Sequence, residues 1–255
     1  MLERSNPGLV DACHLLTSPP FRAFAWIGRT SADVINRGYS GYNTAMLRAD
    51  LSSILGPLRR QDVVAVTLMI GANDCVATGQ PTHVPLASYH ENMDTILGEL
   101  KSALPNAKLV VLGPLPLNEG KWQETAKRLS GGKKDGKDRS VARHIEYNKA
   151  AGEAASKAGA KFLDLIYKLK YEMANAMMEL QNPHHDGLHM TQAVNIFVYR
   201  KLKSLLDELD LNPSKMPRHW PKSLIAAYPH FADDDGHQKK YIPKNQPKTI
   251  NVTVA

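Results

Sequence analysis

Cysteine is scarce in this chain: Cys13 and Cys75 stand alone among 255 residues. Two thiols cannot build a disulfide framework, so the fold must rest on a packed core, for which this length is ample. That scarcity is compatible with a reducing compartment. Long apolar runs are missing as well. The longest, Val63 to Gly71, has strand length and falls far short of a membrane helix. The opening residues, Met1-Leu2-Glu3-Arg4-Ser5-Asn6-Pro7-Gly8, include an acid and a proline but no apolar stretch, so no secretory leader is expected. A soluble, cytoplasmic protein is the default. There is no internal repeat and no rhythm of short strands and turns, which argues against solenoids and sandwiches.

What is plentiful is positive charge, with a formal net of +7. It is not spread evenly. Lys127 to Arg139 holds six basic and two acidic residues, and Leu211 to Ala255 holds seven and three. Each segment carries +4, which leaves the rest of the chain close to neutral. Charge confined to a loop and a tail reads as solvated surface. No aromatic-interleaved basic motif accompanies it, so nucleic acid is not an expected partner.

Short apolar strands alternate with helical stretches. Ala32–Asn36, Asp62–Ile70, Lys108–Leu112 and Lys161–Ile166 read as strands, the second with the near-continuous apolar look of a strand covered on both faces. Ser88–Leu104 places Tyr89, Met93, Ile96, Leu97 and Leu100 on one stripe and stops at Pro105. Arg143–Lys157 is rich in alanine, and Thr191 is a fair N-cap for a helix carrying Val194, Val198 and Leu202. The alternation predicts a parallel sheet with helices on both faces. Leu129–Ser140, glycine-rich and charged, reads as a mobile surface loop. The proline-rich stretch from 211 onward reads as a wrap followed by a basic tail.

Open sheets of this kind place ligands at the C-terminal ends of their strands. Three polar clusters fall where such a site would lie. In His184-His185-Asp186-Gly187-Leu188-His189-Met190-Thr191, the three-residue spacing lets the Asp186 carboxylate accept from one imidazole nitrogen of His189 and leave the other free as a base. An ordinary turn aspartate with a capping histidine fits the same residues. A metal site using His184, His185, Asp186 and His189 is a further rival, although no cysteine pair supports it. In Gly71-Ala72-Asn73-Asp74, the Asn73 amide can donate to an oxyanion above the sheet, or simply close an Asx turn. In the third cluster, Gly41 can present its N–H to the same oxyanion, or be a plain turn glycine.

Together and in order these clusters are more specific. Asn36-Arg37-Gly38-Tyr39-Ser40-Gly41-Tyr42-Asn43-Thr44, Gly71-Ala72-Asn73-Asp74 and Asp186-Gly187-Leu188-His189 resemble blocks II, III and V of the SGNH (GDSL-type) hydrolases. The wording of the first is most similar to the isoamyl acetate-hydrolysing esterase branch. The resemblance runs from about Ala32 to Leu206. It implies an α/β fold, a three-layer α/β/α sandwich on a parallel, flavodoxin-like sheet, and an ester hydrolase that needs no cofactor or metal and acts on a small-molecule ester. It implies Gly41 and Asn73 as oxyanion donors, His189 as general base and Asp186 as the residue that orients it.

The block that this family places first, a strand ending in Gly-Asp-Ser with the nucleophilic serine, does not occur in the sequence. Residues 1–31 read as an atypical N-terminus, with Phe21–Thr30 a remnant of the first helix, ahead of a hydrolase domain over 32–210 and the wrap and tail over 211–255. Ser5, Ser18, Ser31 and Ser40 are weak substitutes for the nucleophile. Leu9–Leu16 is a poor substitute for the strand, because it would bury Asp11 or His14. The sheet is therefore expected to lack its central strand. Two further readings stay open: a relative that binds an ester or acyl ligand without turnover, and a nucleic-acid binder using the Lys127–Arg139 loop.

Overall fold

A computed structural model describes residues 32–59, 62–133, 135–172, 186–211 and 248–254. Five strands, β1 (Ala32–Asn36), β2 (Val63–Met69), β3 (Lys108–Leu112), β4 (Lys161–Leu163) and β5 (Lys248–Val254), form one sheet in the order β1-β5-β2-β3-β4. All four pairings are parallel. Among the described residues six helices accompany them: α1 (Thr44–Leu55), α2 (Leu86–Ala103), α3 (Glu119–Leu129), α4 (Val141–Ala158), α5 (Leu165–Glu172) and α6 (Gln192–Glu208).

The layers follow from strand periodicity. On β3, Leu109 and Val111 face one core, packed with side chains of α1, α2 and α4, while Val110 and Leu112 face a second core with α5 and α6. Successive strand residues point to opposite faces, so an apolar strand feeds both cores. β2 does the same, with Val66 and Leu68 on the first side and Ala65 on the second. Adjacent Val64 and Ala65 share a core, and the β2–β5 register shifts between Val63 and Ala65. An extra residue at such a shift reverses the alternation.

β1 and β3 have the bounds expected from the sequence, and helices lie over the three expected stretches. Thr191 caps α6, its hydroxyl accepting the Val194 N–H at 3.3 Å. Three helices, α1, α3 and α5, were not anticipated. The fourth strand is shorter than expected because Asp164 ends it: its carboxylate accepts the Tyr167 N–H at 2.9 Å and starts α5, which takes Leu165 and Ile166.

The larger correction concerns the centre of the sheet. The expected gap between β1 and β2 is filled by β5, which pairs Ala32–Asn36 on one side and Val63–Met69 on the other. A vacant central position would leave two rows of backbone N–H and C=O groups unpaired, and β-branched Lys248–Val254 (KTINVTV) supplies both. The end of the 211–255 segment is thus sheet rather than tail. The remnant helix at Phe21–Thr30, the Leu9–Leu16 alternative and the serines at 5, 18 and 31 lie outside the described residues.

Because every strand is parallel, all C-terminal ends share one edge. The chain crosses from β1 to β2, steps outward to β3 and β4, then returns to insert β5. The direction reverses only after β4. Open α/β sheets bind ligands at the C-terminal edge, which at the centre of this sheet is flanked by β1 and β2, the two neighbours of β5. The loops after these two strands carry Gly41 and Asn73.

Candidate active site

Asn43 and Thr44 open α1 directly after the β1 loop, with Asn43 Oδ1 accepting the Met46 N–H at 2.9 Å. This cap fixes the turn containing Gly41, whose φ of +80° lies in the region that side chains avoid. The Tyr42 carbonyl leaves this turn toward the β2 loop, where it accepts from Asn73 Nδ2 at 3.0 Å.

The β2 loop is braced below by Asp74. The fully buried Asp74 accepts the Thr44 N–H at 2.8 Å and the Thr44 hydroxyl through one oxygen. Asn92 Nδ2 donates to the same hydroxyl at 3.1 Å, and Arg48 to Asn92 Oδ1 at 3.1 Å. Burial pushes the Asp74 pKa up to about 6 against the opposing effect of the Thr44 hydrogen bonds. Neighbouring Cys75 is buried, and its thiol is pushed up to about 12 by that burial, so it stays protonated and is no nucleophile.

The second half of the Leu129–Ser140 loop is not mobile surface. Asp138 accepts the Trp122 indole N–H at 2.8 Å, and its carbonyl takes the Ala77 N–H at 2.6 Å. Arg139 is only 8% exposed. Its guanidinium lies 5.0 Å from the Trp122 ring centroid and donates to the Ala72 carbonyl and, at 3.3 Å, to Asn73 Oδ1. Arg143, from the first turn of α4, donates to the Cys75 carbonyl at 3.0 Å. Sequence reasoning missed Arg139 because it assigned all the basic residues of that segment to solvent. The usable signal was its position at the loop's end, one residue before the α4 cap Ser140.

Asp186 and His189 are joined as the spacing suggested. Asp186 Oδ2 bonds His189 Nδ1, and Oδ1 accepts the N–H groups of Leu188 at 2.9 Å and His189 at 2.8 Å. Partial burial acts to raise the Asp186 pKa, but the bond to and charge of His189, with the two N–H donors, hold it well below the usual carboxylate range. An ionised Asp186 keeps the proton of a neutral His189 on Nδ1 and leaves Nε2 as the basic atom. The turn is docked on α3: Asn118 N–H donates to the Gly187 carbonyl at 2.9 Å. Gly187 has a φ of +86°, and a Cβ there would meet Trp122 N at 2.7 Å and Asn118 O at 2.8 Å. Only glycine allows that approach. Of the residues in the metal reading, His184 and His185 lie outside the described residues. Among the described residues no group of three potential ligands gathers.

A parallel sheet with a carboxylate–imidazole pair, and an asparagine amide and a glycine on the loops flanking its central strand, has the makings of a hydrolytic α/β site. The comparisons narrow this to one family. Residues 16–195 match the GDSL-like Lipase/Acylhydrolase family, and the chain belongs to it. An isoamyl acetate-hydrolyzing esterase 1 homolog of Rattus norvegicus is 32% identical over 193 residues, covering 74% of this chain and 73% of that protein. A GDSL esterase/lipase of Arabidopsis thaliana is 28% identical over 232 residues, 85% of this chain and 92% of that one. The fold is shared with a lipase/acylhydrolase from Enterococcus faecalis, with a TM-score of 0.58 at 19% identity over 84% of this chain and 92% of that one. Among the described residues no helix is long and apolar enough to cross a membrane.

Proposed function

We propose that this chain is built to hydrolyse small acyl esters, with His189 as general base, Asp186 as its orienting acid, and Gly41 N–H and Asn73 Nδ2 as oxyanion donors. The observation that carries this reading is the Asp186–His189 pair. One carboxylate oxygen is committed to the imidazole and the other to two backbone N–H groups, so ring and tautomer are held together. In the reaction, His189 Nε2 takes a proton from the attacking water as the water oxygen bonds the acyl carbon. The carbonyl oxygen, turning anionic, draws on the N–H of Gly41 and Asn73, and His189 returns the proton to the departing alcohol. Small esters are suggested by the similarity to the isoamyl acetate-hydrolyzing esterase homolog.

A second reading rests on the absence of Gly-Asp-Ser from the sequence: a relative that binds an ester or acyl ligand without turning it over. Hydrolysis of p-nitrophenyl acetate separates the two. Turnover reduced about 10²–10³-fold in Asn73→Ala and about 10²–10⁴-fold in His189→Ala supports hydrolysis. A wild-type rate equal to buffer, with saturable binding of the ester, supports the second reading. A Gly-Asp-Ser segment placed directly after β5 then tests the remaining machinery, because it emerges between the Gly41 and Asn73 loops. Esterase activity gained there and abolished by His189→Ala is the expected outcome, and activity indifferent to His189 would defeat the assignment.

A further inference from the structure

We propose that Arg139 is a positioning residue for Asn73, fixing its amide so that one N–H is held toward the oxyanion. This rests on the reading of Asn73 as an oxyanion donor.

The argument starts from the amide itself. Asn73 Nδ2 donates to the Tyr42 carbonyl at 3.0 Å, and Asn73 Oδ1 accepts from Arg139 at 3.3 Å. A backbone carbonyl can only accept and a guanidinium can only donate. Rotating the amide by half a turn would set oxygen against oxygen and N–H against N–H. The two partners therefore define a single orientation, in which one Nδ2 hydrogen is committed to Tyr42 and the other is left over. Either partner alone would hold it less firmly, because the terminal torsion of asparagine is broad.

Arg139 suits this task better than another cation would. Its planar fork reaches two acceptors at once, the Ala72 carbonyl and Asn73 Oδ1, which lie on consecutive residues of the β2 loop. The guanidinium stacks over Trp122, and Trp122 is tied to Asp138 next to it, so the fork is braced from behind. Of the described basic residues in the same segment, Lys127, Arg128, Lys133 and Lys137 are exposed, whereas Arg139 turns inward. Burying a cation is costly unless its donors are matched; here both terminal nitrogens are matched by the loop that carries Asn73, while the buried Nε has no hydrogen-bond partner. A fixed positive charge adjoining Asn73 also favours negative charge developing on the substrate oxygen.

The test uses the full chain. Side-chain amide NMR signals of Asn73, identified by their loss in Asn73→Ala, are followed in wild type, Arg139→Ala and Arg139→Lys, alongside p-nitrophenyl acetate kinetics. In Arg139→Ala the Asn73 signals are expected to shift or broaden, and kcat to fall about tenfold or more, below the cost of removing the donor itself, with KM within about twofold. Added guanidinium chloride at millimolar concentration restores both, and sodium chloride at equal ionic strength restores neither. Arg139→Lys, which keeps the buried cation but loses the fork, should show the same signal change, and it decides the matter if the alanine variant does not fold. Asn73 signals that stay in place in a folded Arg139 variant would overturn the proposal. If wild type does not turn over ester, the hydrolase reading fails, yet the amide signals still decide whether Arg139 orients Asn73.

Discussion

Asn73 is held by groups 31 and 66 positions away in the chain, whereas Asp186 and His189 hold one another across three. The two halves of the site are thus secured by opposite means. The Asn73 half is cross-braced: Tyr42, Thr44, Asp138, Arg139 and Arg143 converge on the loop between Gly71 and Ala77. The Asp186–His189 half is a local turn whose geometry is internal and whose placement depends on one backbone approach at Gly187. Local geometry survives distant changes, while a cross-braced loop transmits them. A motif can therefore specify the dyad almost alone, but it cannot specify the orientation of a donor.

The contrast is broken most severely at Gly187. Gly187→Ala forces a Cβ into the α3 backbone at a positive φ, at a cost of roughly 3–4 kcal/mol. The Asp186–His189 hydrogen bond should persist, because its partners are local, while the turn leaves α3 and ester turnover is lost. A lowered melting temperature with the imidazole Nδ1 proton resonance retained is the expected pair of results. Loss of that resonance would show that docking, and not spacing, makes the dyad.

The two carboxylates sharpen the contrast through pH. Asp74 has a pKa raised from 3.8 to about 6, so between those values the folded protein keeps a proton that the unfolded chain releases. Stability then falls as pH rises from about 4 to about 6, by ~3 kcal/mol in all, and is level above. Asp186 has the opposite sign. Its pKa is depressed, so its contribution is present above the ordinary carboxylate range and is lost as pH falls below it. Asp74→Asn should flatten the stability profile between pH 4 and 6, and Asp186→Asn should reduce the loss at more acid pH. Denaturant midpoints measured across pH 2–7 check both. An unchanged slope in Asp74→Asn would place that titration elsewhere.

The smallest expected effect comes from Thr191, which caps α6 two residues after His189. Thr191→Ala should cost ~1 kcal/mol of stability and leave kcat within about twofold, because the dyad does not depend on the cap. A large fall in kcat would mean that α6 positions His189, and the Asp186–His189 half would no longer be self-sufficient.

Residues that act with near neighbours were readable in the sequence. The apolar runs at Ala32–Asn36 and Lys108–Leu112 marked strands, Thr191 marked a helix start, and Asp186-Gly187-Leu188-His189 marked the dyad. Errors arose where a local cap was overlooked or where a distant partner reverses a local preference. Leu165 and Ile166 looked like the end of a strand, but the Asp164 carboxylate turns them into a helix. Gly136 to Ser140 looked like mobile surface, but Trp122 and the β2 loop bind Asp138 and Arg139. Lys248–Val254 looked like the end of a tail, because its β-branched pattern alone does not tell which strands it lies between.

What the sequence by itself determined is the class of fold, the cast of polar residues on the sheet edge, and the Asp186–His189 pair, since periodicity and i,i+3 spacing are properties of short stretches of chain. What only the tertiary structure decided is that β5 completes the sheet between β1 and β2, and that Arg139 turns inward to face Asn73. Both depend on hydrogen-bonding groups brought together across long separations, and a buried donor or acceptor finds its partner only once the chain has closed around it.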